Sequence, residues 1–155
     1  MNIDTEITED NFNELLEDLV KQYNKIKEVE LIQLEEGEIV EFHQVNYAMV
    51  RSTERVRLLG KILSKMKRLE RYAQKQYDLR KARKILEARN NRDEFPSEET
   101  RKAYAEDQAE PERKRLIGIN SICEEIHRER QDLWDYRRKL ETISKNLQTE
   151  AYLER

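Results

Sequence analysis

The sequence predicts an all-α protein, and three observations carry that expectation. Of 155 residues only three are Gly and two are Pro, so chain reversals are few and helices long. Charged residues reach 41% against 37% hydrophobic, a balance suited to amphipathic helices with narrow apolar stripes rather than a thick multilayer core. Apolar residues recur at helical spacing along extended proline-free stretches. The length suits one helical domain over 1–155. Its expected form is a long antiparallel helical hairpin with a short helix before it.

Taken in order, Asp10 or Asn11 is expected to cap a first helix, with Phe12, Leu15, Leu16, Leu19, Tyr23 and Ile26 on one face. VELIQLEEGEIVEF follows, with Gly37 in a polar turn between two Val/Ile/Leu-rich runs. It reads as an extended segment or a small β-hairpin. From 46 to 91 no proline occurs and only Gly60 interrupts, so one long helix is predicted. On a wheel turning about 100° per residue and started at Arg57, the residues Val56, Leu59, Ile62, Leu63, Met66, Leu69, Ala73 and Tyr77 fall between about 120° and 260°. Arg57, Lys61, Lys65, Arg68, Tyr72 and Lys75 fall between about 0° and 80°, making a basic ladder opposite the apolar face.

Residues 93–111 form an acidic linker, in which Ser97 is the expected N-cap of a short helix ending near Asp107, before Pro111. A final helix over 112–153 carries Leu116, Ile119, Ile122, Cys123, Ile126, Leu133, Leu140, Ile143 and Leu147. Two such stripes can pair antiparallel through the linker. Each buried apolar side chain contributes roughly 1.5–3 kcal/mol. Ordering each residue costs about 1–2 kcal/mol, so two narrow stripes stabilise a hairpin only modestly. Packing between copies is the expected remedy, with Val56, Leu59, Leu63 and Met66 at the interface of a homo-oligomer.

Charge is distributed unevenly. Residues 1–42, an acidic arm and helix, hold 13 acids and 3 bases; residues 51–92 hold 15 bases and 4 acids; residues 93–155 hold 12 bases and 16 acids. Such asymmetry signals a partner more than a fold. The arm is expected to compete for basic groups, to dock a partner protein, or simply to keep an assembly soluble.

Familiar catalytic and metal-binding patterns are missing. His43 and His127 have no His, Glu or Cys partner at metal-ligand spacing, so no metal site is predicted. The single Cys123 lies on an apolar stripe, where packing is its expected role, and an intracellular setting is the simpler reading. No glycine-rich phosphate loop or nucleophile elbow occurs. The sequence therefore predicts neither an enzyme nor a cofactor. MNIDTEITED is acidic and lacks the apolar core of a signal peptide, and no stretch reaches the ~18 apolar residues of a membrane span. A cytoplasmic location is expected.

What remains is KMKRLERYAQKQYDLRKARK, residues 65–84, with nine Lys or Arg against one Glu and one Asp. A solvated helix face is the ordinary explanation of such a run. Here acids are too scarce for the intrahelical pairing that normally neutralises one. Tyr72 and Tyr77 are interleaved with the bases. Lys and Arg follow phosphates while an aromatic stacks an unpaired base, so single-stranded nucleic acid is the expected ligand. No recognition-helix motif points to sequence-specific reading.

LEDL at 16–19, an extended segment, a long helix ending in the basic LRKAR at 79–83, an acidic linker containing TRKAYAEDQAEPE at 100–112, and a final amphipathic helix occur in that order. This layout resembles the UvsY family of phage recombination mediators. The chain departs from the family pattern in its longer N-terminal arm and in KILEARNN at 84–91. The resemblance implies an oligomeric ring that binds single-stranded DNA. It also implies loading of a RecA-like recombinase onto DNA covered by single-strand-binding protein. Carried over by position, the family's basic patch falls on Lys81 and Arg83, with Arg80 and Lys84 adjacent. The rival reading is a structural or scaffolding helical oligomer, such as a phage assembly factor or coiled-coil adaptor, with no need for this charge asymmetry.

Overall fold

The computed structural model describes residues 6–28 and 41–153. Four helices and no strand occur among them: α1 (Glu9–Lys27), α2 (Phe42–Asn90), α3 (Glu98–Gln108) and α4 (Glu110–Leu153). The expected extended segment or β-hairpin lies outside the described residues, except for its last two, Glu41 just before α2 and Phe42, which opens it.

The helix starts follow capping chemistry. Before α1, the Thr8 N–H donates to Asn11 Oδ1 (2.8 Å) and the Asn11 N–H donates to Thr8 Oγ1 (3.4 Å). The cap is therefore Thr8, not Asp10 or Asn11, because Asn11 serves as the third-residue partner of a capping box. Ser97 caps α3 as predicted: Thr100 N–H donates to Ser97 Oγ (3.1 Å) and Ser97 N–H to Thr100 Oγ1 (3.2 Å). Glu98 and Glu99 lie in the first turn, where the helix dipole favours negative charge. The last helix begins at Glu110 rather than 112, with Pro111 inside it. Proline is tolerated in a first turn, where its missing N–H would have no helical partner.

The chain groups into two compact units, each discontinuous in sequence and each taking one part of α1, α2 and α4. The first comprises Met1–Leu16 and Lys65–Glu124; the second comprises Glu17–Ser64 and Glu125–Arg155. Burial along the helices recurs three, four or seven residues apart: Phe12, Leu19 and Tyr23 on α1; Leu59, Ile62, Met66, Leu69 and Ala73 on α2; Leu116, Ile119, Cys123 and Ile126 on α4. This 3.5-residue period is that of coiled-coil seams.

In the first unit Phe12 is fully buried, with the Tyr72 ring 5.6 Å away and the Arg115 guanidinium 5.1 Å from its centroid. In the second, Val45, Ala48 and Leu140 form a cluster against which Met49, Tyr136, Ile143 and Leu147 pack. A polar layer accompanies it. The Tyr23 hydroxyl lies 2.8 Å from Glu129 Oε2 and 3.0 Å from Glu125 Oε1, Lys27 Nζ lies 2.6 Å from Glu125, and Arg55 pairs with Glu129. The Ser52 hydroxyl, also buried, donates to the Met49 carbonyl at 2.9 Å.

Three of the four residues expected at an oligomer interface are covered by their own chain. Val56, Leu59 and Met66 are buried, and Leu63 is half-buried. The wheel identified their apolar face, but that face is consumed by packing within the chain.

Candidate nucleic-acid interface

The basic ladder is divided between the units. Arg57 and Lys61 belong to the second, whereas Lys65, Arg68, Tyr72 and Lys75 belong to the first. Each of the four acids in residues 51–92 is engaged locally: Glu54 by Arg57, Glu70 by Lys67, Glu87 by Lys84, and Asp78 by the Gln74 amide. Arg57 holds Glu54 with two hydrogen bonds of 2.6 and 2.9 Å. That pairing lowers the Glu54 carboxyl and raises the Arg57 guanidinium from their ordinary values.

With the acids taken, a row of bases remains open in the first unit. Arg71, Lys75 and Arg83 are exposed and Lys65 is half-exposed, whereas Arg68, also exposed, is engaged within the chain. No ion pair among the described residues involves Lys65, Arg71, Lys75 or Arg83. From Lys65 to Lys75 this row runs about 15 Å along α2, at ~1.5 Å per residue. In the second unit Lys61 is likewise exposed without an ion pair among the described residues.

The patch carried over by resemblance behaves differently. On the wheel Arg80, Lys84 and Lys81 fall at about 140°, 180° and 240°, the angular range of the apolar face. All three meet carboxylates. Lys81 Nζ lies 2.6 Å from Glu106 on α3, Arg80 Nε 3.9 Å from Glu112 on α4, and Lys84, whose side chain is 15% exposed, pairs with Glu87. The hydrogen bond between Lys81 and Glu106 raises the amine and lowers the carboxyl from their usual values. Of the four positions only Arg83 shares the open row.

Tyr72 is also committed elsewhere, half-buried against Phe12. Tyr77 is half-buried, with Lys81 Nζ 5.9 Å from its ring centroid. Neither ring is laid open in the ladder for stacking.

Two further features complete the first unit. Arg71 belongs to the open row at about 320° on the wheel, beside Arg57 and Lys75 at 0°. Arg89, Arg92 and Arg101 converge with Pro96 around an open concavity at the turn between α2 and α3. Arg101 is fixed there by donating to the carbonyls of Phe95 (2.9 Å) and Pro96 (3.1 Å). Glu98 lies beside them; its carboxyl is lowered first by the Lys102 hydrogen bond, with smaller help from Arg89 and Arg101. The sequence offers no sign of this trio, because Arg101 reaches Arg89 and Arg92 only through the geometry of the turn.

Other chemistry is sparse. No group of three or more His, Cys, Asp or Glu suited to a metal occurs among the described residues. Burial pushes the Cys123 thiol up, disfavouring the thiolate despite nearby Lys67. No helix among the described residues is long and apolar enough to cross a membrane. Compared with known proteins, the chain matches no family model, no curated protein and no solved structure.

Proposed function

We propose that this chain binds nucleic acid through the phosphate backbone, using the open row Lys65, Arg71, Lys75 and Arg83 on α2. The observation that supports this reading is the exhaustion of local acids: each carboxylate of residues 51–92 has a partner, yet Lys65, Arg71, Lys75 and Arg83 enter no ion pair among the described residues. Such a row follows phosphates without reading sequence. The trio Arg89, Arg92 and Arg101 extends the same chemistry at the end of α2.

The resemblance in layout supplies the biological form of the proposal. The chain acts as a recombination mediator on single-stranded DNA, assembling as a homo-oligomeric ring of helical hairpins. It helps a RecA-like recombinase displace single-strand-binding protein. Because Val56, Leu59 and Met66 are internal, assembly falls instead to the exposed apolar residues Leu79, Leu86 and Ile117 in the first unit and Phe42 and Val50 in the second.

Fluorescence anisotropy with a labelled oligo(dT) tests the binding claim. With three to five phosphates neutralised per subunit, log affinity should fall against log salt with a slope of about −2 to −3.5. No binding at low salt would remove the nucleic-acid reading. The exposed apolar residues would then favour the second reading, a structural helical oligomer.

A further inference from the structure

The chain has a single tryptophan, Trp134, and α4 presents it outward. Leu133 beside it is 3% exposed, whereas Trp134 is 44% exposed. Tryptophan is among the more buried residue types on average, so this exposure asks for an explanation. The surroundings supply one. Trp134 lines an open groove of about 340 Å³ with His127, Arg130, Gln131, Asp135 and Arg138, all on α4 within the second unit. Every neighbour in the groove is polar or charged.

The Arg137 guanidinium stands 5.2 Å from the Trp134 ring centroid. A cation over one face leaves the other to stack. Asp135 is the groove's one carboxylate, and Arg138 lies 3.6 Å from it, so Arg130 leaves the lining with net positive charge. Arg130 rests against α2 where Gly60 has no side chain. Its guanidinium atoms are 3.6–3.8 Å from the position a Cβ would take there, and its buried Nε has no hydrogen-bond partner.

We propose that this groove receives one unpaired nucleobase stacked on Trp134, with a neighbouring phosphate at the Arg130 guanidinium. The proposal rests on the nucleic-acid reading above and adds the accessible aromatic that the α2 row lacks. Base–aromatic stacking tolerates any sequence because every base has a π-face, and arginine beside the ring adds cation–π attraction. Only an unpaired base can offer that face, so the groove gives a physical reason for preferring single strands to duplex.

Trp134 reports on its own occupancy, because no other indole contributes to the emission. The full-length protein is titrated with oligo(dT) and with an abasic deoxyribose-phosphate strand of equal length, following anisotropy and tryptophan emission together. At matched saturation, oligo(dT) should quench Trp134 strongly and the abasic strand should not. Trp134→Ala should weaken oligo(dT) binding at least about fivefold and leave the abasic affinity unchanged, while Trp134→Phe should retain most of it. Circular dichroism checks that both variants fold; an exposed site makes unfolding unexpected. Oligo(dT) binding with unquenched emission and full affinity in Trp134→Ala would overturn the stacking site and leave the backbone reading standing. No binding of either strand would overturn both. Emission that follows protein concentration instead of oligonucleotide would make the surface a subunit contact and overturn the proposal.

Discussion

Lys81 on α2 is neutralised by Glu106 on α3, Nζ to Oε1 at 2.6 Å, so the lysine singled out by resemblance already has a carboxylate partner. Both groups are substantially solvated, and exposed pairs of this kind contribute about 0–1 kcal/mol to stability. Glu106→Gln should therefore leave the melting temperature nearly unchanged. It should release Lys81 toward phosphate and steepen the salt slope of DNA binding by about 0.7. An unaltered slope would show that Lys81 takes no part even when freed.

The open row makes the opposite prediction. Replacing Arg71, Lys75 and Arg83 together with Ala should flatten the slope by about 2, at ~0.7 per phosphate contact. Helicity should persist, because alanine is the best helix former and all three side chains are exposed. Equal slopes for wild type and variant, measured by anisotropy across a salt series, would refute the assignment of the row.

Phe12 anchors α1 in the first unit and holds Tyr72 against it. Phe12→Ala should cost about 3–5 kcal/mol, since a fully buried aromatic leaves a cavity. Tyr72→Phe should be close to neutral, because the ring makes the contact. Urea unfolding followed by far-ultraviolet circular dichroism distinguishes the two.

The helices were largely legible in the sequence because their signals are local. The spacing of Leu59, Ile62, Met66 and Leu69 declares a helix and its inner face, and Ser97 declares a start. The first cap was misplaced because Asn11 is a good cap by type, yet here it answers Thr8 from the third position. The site was legible only in part. Angular position alone turns Arg80, Lys81 and Lys84 away from the ladder, so their separation from Lys75 was calculable. Which carboxylates they meet depends on α3 and α4 and was not. Tyr72 falls within the ladder on the wheel, and only the arrival of Phe12 from a distant stretch of chain withdraws it. Trp134 directly follows Leu133 of the apolar stripe, a one-residue offset that turns it outward.

Tyr23 gives the second unit an alkaline limit. Burial raises its phenol well above the ordinary value, and the carboxylates of Glu129 and Glu125 raise it further. The folded state thus keeps this proton longer than the unfolded chain. Its contribution is complete below the unfolded tyrosine pKa of about 10 and is lost as pH rises beyond it. Lys27, raised chiefly by its hydrogen bond to Glu125, acts in the same direction. Tyr23→Phe should lower stability at pH 7 by about 1.5–3 kcal/mol, the range for hydrogen bonds to charged groups. It should also flatten the decline above pH ~10, read from urea midpoints at pH 7, 9 and 10.5. A variant that declines as steeply as wild type would exclude Tyr23 as the source.

A seam that repeats every seven residues has an ambiguity built into it, for sliding one helix along the other by one heptad, about 10 Å, brings apolar residues opposite apolar residues again. The Arg55–Glu129 pair removes that freedom in the second unit. Seven residues to either side of Glu129 stand Ile122 and Tyr136, so in a slipped alignment the Arg55 guanidinium would face a side chain with no negative charge. Removing a carboxylate from a largely buried ion pair costs up to about 3–5 kcal/mol. Arg55 and Glu129 thus act as a detent, and a chain with both replaced by leucine should hold its helices yet let them adopt more than one alignment.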